Sequence, residues 1–315
     1  MNPPPLIVAL VGNPNVGKST LFNALSGLRQ QVGNYPGVTV EMKKGHFQAD
    51  GIRVELIDLP GTYSLAARSP DEMVAVDLLL GRLPEQPRPD LIVSIVDASN
   101  LDRHLYLTTQ LMELGEPVLL AVNMIDVAEQ QGIRIDWERL SAETGLTIVP
   151  IQANKGIGLD TLKSLLVSVA KSAQPPQTPE LPEEFENEAR ALRAELPPDF
   201  PVFLARRLLF DVGGSVEKWL IQKHGAELEQ QLQAARQRLA TAGQPVPAAE
   251  ARARFAWIRR VLRDSVSRPE GRLITWSDRI DQILVHRVWG TVFFLVVMFL
   301  VFQSIFVAAQ PLMGL

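Results

Sequence analysis

The stretch Gly12-Asn13-Pro14-Asn15-Val16-Gly17-Lys18-Ser19, with Thr20 behind it, decides how the rest of the chain is read. It fits G-x-x-x-x-G-K-[ST], follows the apolar run Leu6–Val11 and enters a helical pattern. Glycines let the backbone curl so that successive N–H groups converge on phosphate oxygens. The helix N-terminus adds positive potential. Lys18 is expected to neutralise the β- and γ-phosphates, and the Ser19 hydroxyl to ligate Mg²⁺.

Outward from that loop, apolar β-rich runs alternate with helical patterns. Leu6–Val11, Arg53–Leu59, Leu91–Asp97, Pro117–Asn123 and Thr147–Ile151 read as buried strands. Helices are expected near Lys18–Ser26, Asp71–Leu80, Asp102–Leu114 and Leu159–Ala170. The alternation predicts an α/β fold, a mostly parallel sheet with helices on both faces. Glu41–Ala49 reads as an edge strand.

Two further motifs close strands. Asp58-Leu59-Pro60-Gly61 ends one; the acid can hold Mg²⁺ through water and the Gly61 N–H can reach a γ-phosphate. Asn123-Met124-Ile125-Asp126 ends another. A carboxylate there accepts from the guanine N1–H and exocyclic amine, an arrangement adenine does not offer, so Asp126 argues GTP over ATP. The usual form is N-K-x-D; Met124 stands where the lysine stem covers the base. Between the loop and Asp58 lies Gly33-Asn34-Tyr35-Pro36-Gly37-Val38-Thr39-Val40. Thr39 there is a candidate Mg²⁺ ligand in a loop that closes only on a γ-phosphate, with Gly37 and Val38 beside it against the nucleotide.

The remaining 142 residues after 173 read differently. Residues 174–183, with four prolines in QPPQTPELPE, form a linker. Residues 184–270 read as a small all-helical domain. Within 271–287 the residues Leu273, Trp276, Ile280, Ile283 and Leu284 share one helical face; both an interfacial helix and a helix packed on the soluble part fit that pattern. Residues 288–309 run 22 positions without a charge, long enough to cross a bilayer. Arginines crowd the flank before it, which predicts that residues 1–287 lie in the cytoplasm. Met1–Pro5 carries no signal-peptide pattern, so the soluble part is not expected to be exported. The chain has no cysteine and a net charge of −4. These exclude thiol chemistry and a disulfide scaffold, and residues 1–170 show no basic face for nucleic acid.

In their order, GNPNVGKST, GNYPGVTV, DLPGTYSL and NMID resemble the cytoplasmic region of the bacterial ferrous iron transport protein B family. So do the proline linker, the helical region, SDRIDQILVHR and the first membrane span. The resemblance implies a Ras-like GTPase, GTP and GDP as ligands with Mg²⁺, and a helical domain that slows GDP release. It implies a bacterial inner-membrane location, a polytopic remainder that carries Fe²⁺, lipid contact, a homo-oligomer and a small accessory protein as partners. It also implies K⁺ at Asn15 and at the carbonyls of Gly33 and Tyr35, where the ion would do the work of an arginine finger. The catalytic set is then Lys18, Asn15, Thr39 and Gly61. Thr62 stands where many GTPases carry a water-orienting glutamine. The base-contacting loop is Gln152-Ala153-Asn154, with the Ala153 N–H expected on guanine O6. One helix cannot form an iron pore, so the chain as it stands is expected to be a fragment. A membrane-tethered regulatory GTPase is the alternative, and a soluble RNA-associated GTPase leaves the uncharged span unexplained.

Overall fold

In a computed structural model, residues 4–27, 30–34, 40–66, 69–83, 86–171, 176–197, 200, 202–269, 280 and 284–313 are described. The chain divides into two units, Met1–Arg268 and Pro269–Leu315.

The first unit is built on a seven-stranded mixed sheet, in the order β2-β3-β4-β1-β5-β6-β8. Its strands are β1 (Leu6–Gly12), β2 (Gln30–Asn34), β3 (Glu41–Ala49), β4 (Ile52–Asp58), β5 (Leu91–Asp97), β6 (Val118–Asn123) and β8 (Thr147–Pro150). From β4 through β8 the pairings are parallel; β2–β3 and β3–β4 are antiparallel. Along β1, Ala9 and Val11 enter one apolar core while Val8 and Leu10 enter the other. The two-residue alternation of a strand thus feeds both faces. This is why the central strands read as unbroken apolar runs.

Helices cover both faces. α1 (Lys18–Ser26) and α6 (Leu159–Ala170) bury their apolar sides in one core. α2 (Pro70–Leu79), α3 (Leu101–Leu111) and α5 (Trp137–Thr144) serve the other, and α4 (Ile125–Gln130) is a short turn after β6. α2 starts in a capping box: the Ser69 hydroxyl accepts from the Glu72 N–H at 3.2 Å, and the Glu72 carboxylate accepts from the Ser69 N–H at 3.3 Å. The expectation that Glu41–Ala49 is the edge strand is corrected: β3 lies inside the sheet and β2 is its edge. The sequence of β2, QQVGN, is exposed throughout and has no apolar alternation to announce it.

Beyond residue 180 the helices are α7 (Glu183–Ala194), α8 (Val202–Phe210), α9 (Ser215–His224), α10 (Ala226–Thr241) and α11 (Ala248–Ser265). α7 to α10 enclose a third core, with the Phe185 and Phe210 rings stacked at 4.1 Å. α11 does something else. Its Trp257, Ile258, Val261 and Leu262 are buried in the core of the sheet, against α3 and α5. The chain then makes a two-residue strand, β9 (Val266–Ser267), antiparallel to β7 (Arg134–Ile135).

The second unit contains the helix Trp289–Met313, whose large apolar side chains from Trp289 to Phe302 are exposed. Among the described residues no helix is long and apolar enough to cross a membrane; the side chains of this one are described only as far as Ser304.

Candidate functional site

The parallel strands bring their carboxyl ends to one edge of the sheet, where open α/β folds hold ligands. Leu10 is paired with Asp58, and Asp97 with Asn123, so the three motifs arrive side by side.

The loop Gly12–Ser19 is shaped by two left-handed residues, Asn15 at φ 67° and Gly17 at φ 87°. At Gly17 a Cβ would collide with the Asn123 amide, and at Gly12 one would stand 2.7 Å from the Ile95 carbonyl. α1 begins at Lys18 with no side-chain cap and no acid in its first turn. Its first N–H groups therefore point out at the sheet edge as donors for an anion. A cavity of about 390 Å³ is lined here by Asn13, Pro14, Asn15, Gly17, Lys18, Ser19, Thr20 and Gly61. A second, of about 410 Å³, adjoins Lys18, Ser19 and Asp58.

Lys18 is ion-paired with Asp58. Both side chains are nearly buried, so the ammonium and the carboxylate neutralise each other at the mouth of the loop. Gly61 packs on the loop, and a Cβ there would lie 3.2 Å from the Pro14 nitrogen. The Thr62 N–H donates to the Gly12 carbonyl at 3.2 Å, which ties the segment after Asp58 to the loop. Thr62 is fully buried and its hydroxyl donates to the Ser64 carbonyl at 2.8 Å, so it is turned away from the cavity.

Asn123 is the clamp of the site. Its Nδ2 donates to the Val16 carbonyl at 2.9 Å and its Oδ1 accepts from the Ala153 N–H at 3.0 Å. The Ala153 N–H, the donor expected on guanine O6, points at Asn123 Oδ1 in this structure. The next N–H, on Asn154, makes no hydrogen bond among the described residues. Gln152 pairs its backbone with Ile157, at 3.1 and 3.2 Å, which closes the loop; its side-chain oxygen is buried without a partner.

Met124 adopts a left-handed backbone, φ 60°, and so starts α4 with Asp126 in its first turn. Lys155, which sequence reading passed over, donates to Asp126 Oδ2 at 3.0 Å. That hydrogen bond holds the Asp126 carboxyl below the usual carboxylate range. The one signal of Lys155 in the sequence was its place directly behind Asn154.

Ser19 and Asp58 form a hard oxygen set suited to Mg²⁺, with phosphate oxygens and water to complete it. No group of three or more His, Cys, Asp or Glu among the described residues forms an all-protein metal site. Asn15 and Gly33 are described, whereas Tyr35, Gly37, Val38 and Thr39 lie outside the described residues.

Compared with known proteins, residues 6–166 match the family model for ferrous iron transport protein B. The Fe(2+) transporter FeoB of Escherichia coli strain K12 is 39% identical over 318 residues, covering 98% of this chain and 40% of the relative. A fusion of Fe(2+) transport protein A with Fe(2+) transporter FeoB from Porphyromonas gingivalis is 35% identical over 329 residues, covering 96% of this chain and 37% of the relative. The chain therefore spans about two fifths of the length of these relatives. Among solved structures, an S. thermophilus NFeoB mutant bound to GDP is 36% identical with a TM-score of 0.69, covering 83% of this chain and all of that one, 100%. The cytosolic domain of the T. maritima iron transporter in its GMPPNP form is 30% identical with a TM-score of 0.68, covering 83% of this chain and 99% of that one.

Proposed function

The chain belongs to the ferrous iron transport protein B family, and on that premise we propose that it binds and hydrolyses GTP to gate or power Fe²⁺ uptake by a bacterial membrane transporter. The observation that carries this reading is the pair of contacts on the loop at one sheet edge, Lys18 with Asp58 on one side and Asn123 with the Val16 carbonyl on the other. Lys18, paired with Asp58 here, would turn to the β- and γ-phosphates of a bound nucleotide, and Asp58 would then help to hold magnesium. Loop and α1 N–H groups hold the phosphates. The Gly61 N–H meets the γ-phosphate, and its Cα lets the backbone come that close. Asp126, hydrogen-bonded by Lys155, accepts from the guanine N1–H and amine, and the Asn154 N–H faces O6.

Magnesium, held by Ser19, Asp58 and Thr39, would spread positive charge over the phosphates. Potassium at Asn15, with the Gly33 and Tyr35 carbonyls, is the further cation of this reading. With Thr62 buried, no side chain of the Asp58–Thr62 segment orients water, so unstimulated turnover is slow.

On the same reading, residues 1–173 are the GTPase domain and 184–270 a helical domain that slows GDP release. The uncharged run at residues 288–309 enters the membrane and leaves residues 1–287 in the cytoplasm, on the strength of its 22 charge-free positions and the arginine-rich flank before it. Partners are the rest of the transporter and a small accessory protein, for which the Porphyromonas gingivalis fusion is the support. A tethered switch without transport has no comparable support.

The test is calorimetry and phosphate release. GTP and GDP should bind in preference to ATP, and hydrolysis should run faster in K⁺ than in Na⁺. Absence of guanine nucleotide binding with Mg²⁺ supplied would overturn the reading; equal rates in both cations would remove Asn15 from a metal role.

A further inference from the structure

A buried polar chain runs away from the Asp58–Gly61 segment and is used by none of the chemistry above. Leu65 lies four residues beyond Gly61, and its N–H donates to Gln110 Oε1 at 2.7 Å. The same side chain donates from Nε2 to Glu250 Oε1 at 2.7 Å. Glu250 accepts both arms of Arg207, at 2.8 and 3.1 Å, and Nε of Arg254 at 2.9 Å. Arg254, fully buried, also donates to the Thr109 carbonyl at 3.0 Å and to Glu113 at 2.8 Å.

The cluster balances two guanidinium groups against two carboxylates and joins α3, α8 and α11 at one point. Buried ion pairs of this kind seldom add stability over an apolar packing of the same volume. Here Arg207 Nε and Glu113 Oε1 also lack partners, so the arrangement is not the most stable one available. It does fix geometry. Beside it opens a cavity of about 520 Å³, lined in part by Ser64, Ala66, Gln110 and Glu250. The backbone on either side of Leu65 therefore borders open space, while its N–H is held by Gln110.

We infer that Gln110 is a positioning residue for GTP hydrolysis: it fastens the Leu65 N–H to the Glu250 carboxylate and so anchors the far end of the segment whose near end, at Gly61 and Thr62, rests on the loop. The inference rests on the GTPase reading of Gly61. The residue type is required by the contacts. An amide alone among side chains of this length offers an acceptor to an N–H and a donor to a carboxylate at once. Glutamate would keep the acceptor but set a second carboxylate against Glu250; methionine would orphan both partners.

The experiment uses the full chain and single-turnover hydrolysis. Gln110→Met and Gln110→Glu should slow the hydrolytic step by about 10- to 100-fold, with the affinity for a fluorescent GDP analogue within about twofold of the parent. Hydrogen exchange across residues 58–66 gives a second reading: the Leu65 amide should lose protection in Gln110→Met. Parental hydrolysis in Gln110→Met or Gln110→Glu, or unchanged protection of Leu65, would overturn the inference alone. No hydrolysis by the parent chain would instead overturn the GTPase reading, and this inference with it.

Discussion

Asn123 holds Val16: the side-chain amide of one donates to the backbone carbonyl of the other at 2.9 Å, across a separation of 107 residues. The same side chain takes the Ala153 N–H, so the phosphate loop and the base loop share one fastening. Replacing Asn123 with alanine orphans a buried carbonyl and a buried N–H. Each costs about 1–3 kcal/mol. The affinity for GDP should drop by at least tenfold, which is about 1.4 kcal/mol, and stopped-flow release of a fluorescent GDP should quicken accordingly. Unaltered release would mean that the loops hold their shape without the clamp.

Gly17→Ala tests the loop from the other side. The position is left-handed and its missing Cβ is where the Asn123 amide lies. Alanine should abolish nucleotide binding by calorimetry and also loosen the Ala153 loop, visible as faster amide exchange there. Retained binding would contradict the close packing of the two motifs.

The Asp126–Lys155 pair makes a pH prediction. The Asp126 carboxyl titrates below its ordinary range because Lys155 hydrogen-bonds it. If the proposed role in guanine recognition holds, binding needs the carboxylate, so it is present above that lowered value and is lost as pH falls through it. Lys155→Ala should move the acid limb of GDP binding to higher pH while leaving affinity near pH 7 little changed. A titration of binding from pH 7 downward reads this directly, and superimposed curves would exclude the pair from base recognition.

Glu250 gives a stability prediction. Burial opposes its ionisation, but Arg207 and Arg254 outweigh it and bring the carboxyl from 4.5 to about 2. Its contribution is complete above the unfolded value and disappears as pH falls toward 2. Arg254→Met leaves charge uncompensated in the interior and should lower unfolding free energy by about 3–5 kcal/mol. Denaturant titration at pH 7 measures that loss. A change under 1 kcal/mol would mean that the cluster relaxes or hydrates.

How much of this was legible in the linear chain follows from how far each feature reaches. Asp58 ends β4, Lys18 and Ser19 open α1, and Asp126 lies in the first turn of α4; each follows an apolar strand within a short motif, which suffices to announce the element. Strand β5 and helices α1 and α6 carry the boundaries their periodicity predicts, because burial on one or both faces is written into the spacing. Strand β2 was illegible for the opposite reason. Its polar, exposed residues bury nothing, and its backbone pairing with β3 is decided by the neighbour.

By itself, then, the sequence determined a glycine loop entering a helix at the edge of a mostly parallel sheet, the motif that carries Asp126 and the family to which they belong, since these depend on residues a few positions apart. Tertiary structure alone decided that the Ala153 N–H belongs to Asn123, that Lys155 serves Asp126, and that α11 packs into the sheet's core. It alone joined Leu65 to Gln110 across 45 residues and Gln110 to Glu250 across 140. Contacts at such separations come from the packing of whole helices, and no local pattern of residues encodes which donor will meet which acceptor.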